Sequence, residues 1–446
     1  MQLTYPNIAL QVPRVLLPGP DVALDRWAVI ACDQHTSSPG YWHEVDRFVS
    51  DAPSTLNLVF PEAFLEEPDR SDRIVTINRA MRAYLDAELL EEQAPGFVLV
   101  DRQTPRAASR KGLLVCLDLE QYSYEAPAET LIRTTEGTDP ERLPPRVAIR
   151  RDAPLELPHI MVLIDDPQRT VIEPLFEGRG ELPPLYDFDL MMGGGHLRGW
   201  HVSDESAITQ TVQRLAALVA ADHFAKRYRL PDAAAPMLYA MGDGNHSFAT
   251  AQRVWQELRE NPATPDDHPA RYPLVELVNL HDDGLSFEPI HRVVFDTNPQ
   301  QLLSSLSDFV RSQGSELEVR DFPDRQQWER ARVDLEDGTD HHLPFIADDR
   351  CGIATIHHPQ QQLAVASLQN FLSDDTTRRH VDYIHGTETV DELGSRPGNV
   401  GFYSQVIDKG ALFRTILLDG PLPRKSFSLG EAEEKRYYLE SRRLTL

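Results

Sequence analysis

The chain is poor in cysteine, in basic charge and in long apolar runs, and each shortage removes a class of protein. Its three cysteines, Cys32, Cys116 and Cys351, stand too far apart for a zinc-finger spacing and are too few for a disulfide framework. Cys116, inside LLVCL, reads as a buried strand residue. No stretch approaches the ~20 apolar residues that a bilayer span needs, and the opening MQLTYPNIALQVPRVLLPGP carries no signal-like apolar core. The expectation is a soluble protein of the cytoplasm with no membrane partner. Basic residues number 44 against 70 acidic ones, a net charge of -26 at pH 7. A field of that sign repels phosphate backbones, which argues against nucleic acid as an extended partner. A small anion held in a local basic pocket is compatible with it. There is no internal repeat or low-complexity tract, and the 34 prolines are scattered, so most of the chain is expected to fold.

What is present is an alternation of strand and helix patterns over 446 residues, enough for two or three domains. Short apolar runs predict strands at 27–31, 96–100, 110–117, 160–164, 236–240, 272–280 and 290–295. Helical spacing covers 41–50, 73–91 and 204–228, and a charged helix is expected near the C-terminus. The fold class this predicts is α/β to α+β, with mixed sheets and flanking helices. The expected division is a main α/β domain over 1–298 and a C-terminal α+β region over 299–446. The latter is expected to return a basic PRKSF segment to the site of the former.

The stretch MGDGNHSFATAQRVW follows one apolar run and opens a helical one. A helix start offers unpaired N–H groups and partial positive charge. Gly244 permits a tight turn and close ligand approach, Asn245 or Ser247 can cap the helix, and His246 can exchange a proton or bind phosphate. A capped helix with a turn glycine accounts for the same five residues without a ligand. ACDQHTS places Asp33 and His35 between a strand and a helix, as base or orienting group. GGGHLRGW offers His196 and Arg198 as phosphate donors, although the G-x-G-x-x-G order and the P-loop lysine are both missing. Arg424 and Lys425 of PRKSF are positive charges in an acidic chain that can complete an anion pocket. The run Glu433 to Arg436 reads as a solvated helix face, and EPIHR 288–292 as a surface strand end. Asp340-His-His342 and His357-His358 read as a hairpin with no carboxylate at ligand spacing except Asp340, which argues against a metal there.

Together, RWAVIACDQHTSSPGYW, DAPSTLNLVFPEAFL, RTTEGT, LELPHIMVLIDDPQRTVIEPL, GGGHLRGW, GDGNHSFATA, LVELVNLHDDGLSFEPIHRVVF, VDYIHG and LPRKSFSLGEAEEKRYYLE resemble the family called domain of unknown function 1015, over nearly the whole chain. That family is distantly similar to the ParB–sulfiredoxin superfamily, whose free serine kinases phosphorylate an amino-acid hydroxyl. The resemblance implies a ParB–sulfiredoxin-like core, with Asp243, Gly244, Asn245 and His246 on a phosphate-binding loop. Many relatives in the wider family read Asp-Gly-His-His-Arg where this chain has Asn245 and Ser247, so Lys425 or Arg424 is expected to replace the lost guanidinium. Asp33 is the expected catalytic carboxylate.

The function expected on these grounds is a nucleotide-dependent phosphotransferase acting on a small hydroxylated metabolite. Loop N–H groups, His246 and Arg424 or Lys425 neutralise phosphate charge; Asp33 or His35 takes the acceptor proton; Mg2+ bridges the phosphates, held partly by Asp243. Two alternatives stay open: a nucleotide-binding regulatory module without transfer, and a phosphohydrolase. The oligomeric state is not legible.

Overall fold

A computed structural model describes residues 1–125, 128–231, 234–335, 338–374 and 379–445. It is a mixed α/β structure that divides into two units. The first holds Met1–Ser286 with Gly430–Leu446, the second Phe287–Leu429.

The first unit is built on an eleven-stranded mixed sheet. Its long strands are β1 (Phe97–Gln103), β2 (Arg110–Leu117), β3 (Met161–Ile164), β4 (Pro184–Leu190), β5 (Gly195–Val202), β6 (Tyr239–Asp243) and β7 (Leu274–Asn279). Their order is β4-β5-β1-β2-β7-β3-β6, continued by the short strands Ile132–Arg133 and Tyr122–Ser123. Most neighbours run antiparallel; β3 and β7 are parallel. Side chains alternate between faces. Leu99, Leu113, Val115, Val162 and Leu277 enter one apolar core with Phe248 and Trp255 of the helix Asn245–Arg259. Val98, Val100, Leu114 and Cys116 enter a second core with Trp27 and Trp42. Burial in that second core pushes the Cys116 thiol up to about 12.

The C-terminal segment belongs to this unit through strand pairing. Tyr437 and Tyr438 pair with Ile30 and Val29, and Arg442–Arg443 pair with Leu155–Glu156. The expected charged helix is therefore an extended strap, and Glu434, Lys435 and Arg436 are buried rather than solvated. Their charges are paired: Arg436 donates to the Pro158 carbonyl (2.8 Å) and contacts Glu276 and Glu440. Glu156 is held likewise. Burial alone would raise its carboxyl, but Arg442 (2.7 Å), Arg150 (2.5 Å) and the Leu274 N–H (3.0 Å) outweigh this and hold it below the ordinary value. A depressed folded-state value stabilises above the unfolded pKa, near 4.5, and that contribution is lost as pH falls through the folded value. The urea midpoint should thus drop on moving from pH 6 toward pH 3, and Glu156→Gln should flatten that profile while lowering stability at pH 7.

The second unit has a seven-stranded sheet ordered Glu316–Phe322, Arg350–His357, His341–Ala347, Val400–Phe402, Phe287–Phe295, His380–His385, with Phe427–Leu429 also pairing Phe287–Phe295. Alternate residues Val294 and Phe345 pack with the helix Pro299–Ser312, while Val293 and Ile346 pack with Trp328. The expected boundary at 298 falls inside this unit, because all partners of Phe287–Phe295 lie in it. EPIHR is not a surface end: His291 and Arg292 are buried, and burial with Arg332 and Arg292 nearby lowers His291 to about 4. Among the described residues no helix is long and apolar enough to cross a membrane.

Candidate functional site

Leu238 to Met241 are apolar and buried, so they run as the inner strand β6. The chain then turns at Gly244 (φ 81°) and enters the helix α1 (Asn245–Arg259), which buries Phe248, Ala251, Val254 and Trp255. Residues 243–247 are half-exposed, so the turn is not sealed within apolar packing. Gly244 makes no side-chain cap to the helix start. A Cβ at Gly244 would lie 3.0 Å from Ile160 Cγ1 and 3.2 Å from its Cα, in a backbone region that L residues avoid. Gly244→Ala should cost about 1–2 kcal/mol, read as a lowered urea midpoint; an unchanged midpoint would mean the turn can relax.

Both oxygens of Asp243 are engaged. Oδ1 accepts the Gly244 N–H (2.9 Å) and Oδ2 lies 3.0 Å from Lys435 Nζ. Burial opposes its charge, but Lys435 and His159 outweigh that and hold the carboxyl below its ordinary value. This donor set does not fit Mg2+: an ammonium already sits where the cation would, and among the described residues no three His, Cys, Asp or Glu side chains converge as a metal site. Expected metal binding through Asp243 is therefore not supported by its surroundings.

The loop's other side chains are tied to neighbours. Thr134 shares its hydroxyl proton between the Glu136 carbonyl (2.6 Å) and Asn245 Oδ1 (2.7 Å), and Thr135 donates to the Met241 carbonyl (2.6 Å). His246 Nε2 accepts the Asp139 N–H (3.2 Å), which leaves the proton of a neutral ring on Nδ1. Ser247 Oγ lies 2.8 Å from His159 Nε2, and His159 Nδ1 lies 2.8 Å from the Tyr438 hydroxyl. The Tyr438 oxygen accepts the Cys32 N–H (3.2 Å), and its hydroxyl is 3.1 Å from Cys32 Sγ.

This chain of contacts brings the Asp33–His35 loop to the same cluster. Pairing of Val29–Ile30 with Tyr437–Tyr438 delivers Cys32 beside Tyr438, and Asp33 follows. Gln34 Nε2 donates to Asp33 Oδ1 (3.0 Å). His35 adopts a left-handed φ of 53°, uncommon for a residue other than glycine, and stacks on Tyr41 with centroids 3.8 Å apart. Burial lowers its pKa against the opposing charge of Glu433, so its ring is neutral near pH 7.

Two other expected residues stand elsewhere in the first unit. His196 and Arg198 lie on β5, five strands from β6 along the sheet, with carboxylates of their own. His196 bridges Asp189 (2.7 Å) and Asp187 (2.6 Å), and Arg198 faces Asp101 (3.4 Å). Arg424 and Lys425 belong to the second unit, where Lys425 Nζ stands 5.3 Å from the Tyr383 ring centre. The basic group at the loop is Lys435. Reading Glu433 to Arg436 as a solvated face hid it: a charged run from a short 3-10 turn into a strand looks, in sequence, like a helix surface. His159 and Tyr438 were also missed, although LELPHIMVLIDD and EAEEKRYYLE were both conspicuous. A cleft of about 780 Å³ lies elsewhere in the first unit, lined by Trp42, Phe60, Phe64, Arg73, Ile77 and Tyr84 among others.

No curated protein matches the sequence. Among solved structures, a free serine kinase in complex with AMP is similar at 10% identity and a TM-score of 0.38, covering 74% of this chain and 92% of that one. A conserved hypothetical protein from Pyrococcus furiosus is similar at 11% identity and a TM-score of 0.34, covering 73% and 90%. SbnI with a C-terminal truncation, from Staphylococcus aureus, is similar at 9% identity and a TM-score of 0.34, covering 71% and 82%. The family described as "Protein of unknown function (DUF1015)" matches residues 16–374, about four-fifths of the chain, and the chain belongs to that family.

Proposed function

We propose that the first unit binds a phosphate-bearing small molecule, a nucleotide, at the turn 243–247 and transfers its phosphoryl group to a small hydroxylated metabolite. The observation that carries this reading is the Lys435 ammonium, 3.0 Å from Asp243 at a half-exposed, glycine-entered helix start. Helix N–H groups and an adjacent ammonium neutralise an oxyanion without a metal ion. His246, on the first turn of the same helix, stands beside these groups as a further phosphate contact. The nucleotide as carrier comes from the resemblance of the loop motif to those of free serine kinases. No step is routed through Mg2+, because Asp243 does not suit it.

The acceptor's proton goes to Asp33 or to the neutral ring of His35. Removing a general base typically slows a reaction by about 10²–10⁴-fold. His35→Gln is expected to slow transfer by roughly that factor with nucleotide affinity retained; an unchanged rate removes His35 and leaves Asp33.

The same ion pair, which leaves Asp243 unsuited to hold Mg2+, favours a second reading, a regulatory module that binds nucleotide and transfers nothing. Calorimetry with ATP and ADP, followed by phosphate tracing with and without a pool of hydroxylated metabolites, separates the readings. Acceptor-dependent transfer supports the kinase, acceptor-independent release a phosphohydrolase, and binding alone the module. Absence of binding to wild type defeats the proposal. His246→Ala should slow turnover roughly a hundredfold, as for other electrostatic donors.

A further inference from the structure

Ser247, His159 and Tyr438 come from three distant parts of the chain: the first turn of α1, the residue two before β3, and the C-terminal strap. Their contacts run nucleophile to imidazole (2.8 Å) and imidazole to a third oriented group (2.8 Å), which is the geometry that activates a hydroxyl. Ser247 is the third residue of the helix, past its cap residue Gly244, so its hydroxyl is not spent on capping the helix start. Ser247 instead faces a side chain 88 residues away. Ser247 and His159 are half-exposed, so a substrate can reach them, while Tyr438 is buried and its ring meets the His159 ring edge-on at 5.5 Å.

Hydrogen-bond capacity sets the direction of the relay. A tyrosine oxygen has one proton to give and accepts two bonds. In our assignment Tyr438 accepts from the Cys32 N–H and from His159 Nδ1–H, and gives its own proton to Cys32 Sγ. His159 Nε2 then carries a lone pair aimed at the Ser247 hydroxyl. The reverse assignment, with Tyr438 donating to Nδ1, would put a proton on Nε2 and leave Ser247 unactivated; the tautomer is therefore the point to measure.

We propose that Ser247 is a nucleophile with His159 as its base and Tyr438 as a positioning residue, and that Ser247 carries the phosphoryl group as a phosphoserine between donor and acceptor. The phosphoserine step rests on the phosphate reading above. In the first step the Ser247 Oγ–phosphorus bond forms and the bond from phosphorus to the nucleotide's leaving oxygen breaks. The hydroxyl proton passes to His159 Nε2 and then to the leaving oxygen or solvent. In the second step the acceptor hydroxyl attacks phosphorus and gives its proton to Asp33 or His35, the Oγ–phosphorus bond breaks, and the departing Ser247 oxygen takes a proton from solvent relayed through His159 Nε2.

A fluorophosphonate probe tests the pair without needing nucleotide. Attack by Ser247 forms an Oγ–phosphorus bond and expels fluoride, and peptide mass spectrometry places the adduct. Wild type should be labelled at Ser247. Ser247→Ala should abolish labelling, and His159→Asn should slow it about a hundredfold or more. Tyr438→Phe should slow it about tenfold and shift the His159 ring-nitrogen resonances toward the other tautomer, a signature that a merely structural role would not produce. Wild type left unlabelled at Ser247, or a His159→Asn rate equal to wild type, overturns the proposal. ADP titration of wild type separates the two readings: absence of nucleotide binding strikes the phosphate reading, whereas absence of labelling in a protein that binds ADP strikes the nucleophile.

Discussion

Arg436→Leu should destabilise the first unit by about 3–5 kcal/mol, the range for breaking a buried ion pair from one side. Arg436 is 4% exposed; it contacts both Glu276 and Glu440 and donates to the Pro158 carbonyl. Glu276 and Glu440 are themselves 1% and 0% exposed, and Glu440 also receives the Tyr186 hydroxyl. Burial alone would lower Arg436, but these carboxylates more than offset it and hold the guanidinium above its ordinary value. Removing the arginine strands two buried negative charges. Urea unfolding of the full chain at pH 7 measures the loss. Adding Glu276→Gln and Glu440→Gln to Arg436→Leu should recover part of it, because neutral amides are less costly to bury than unpaired carboxylates. A loss under about 1 kcal/mol would show that water reaches the cluster.

The second large effect is on ligand binding. Lys435→Met should weaken ADP affinity by roughly 10- to 150-fold, since a hydrogen bond to a charged group contributes about 1.5–3 kcal/mol. Lys435→Arg should retain more affinity than Lys435→Met, by keeping the charge. Lys425→Met should weaken binding less than Lys435→Met, because Lys435 is the cation at Asp243. Calorimetric titration with ADP decides between them. If only Lys425→Met binds weakly, the basic group of the site has been misassigned.

Much of the first unit was legible in advance because the pattern is local. The short runs expected as strands at 96–100, 110–117 and 160–164 fall on strands β1, β2 and β3. The periodic segment 245–259 is a helix, and the turn before it needs the glycine that is there. The span 204–228, expected as one helix, is two, Glu205–Leu218 and Ala221–Tyr228. Trp27–Ala31 keeps only Val29 and Ile30 as strand, since Leu24–Trp27 forms a helical turn. The last charged run was misread because period alone cannot show that Lys435 meets Asp243 or that buried carboxylates await Arg436.

By itself the sequence determined the mixed α/β class, the acidic character and the strand–glycine–helix turn at 243–247, because periodicity and backbone sterics act between near neighbours. Only tertiary structure decided which groups meet that turn. Lys435 reaches Asp243 from 192 positions away, and Tyr438 joins His159 to Cys32 across more than 270 and 400 positions. Pairing of the C-terminal strap with Val29–Ile30 makes those meetings, and strand pairing between distant segments leaves no mark in local composition.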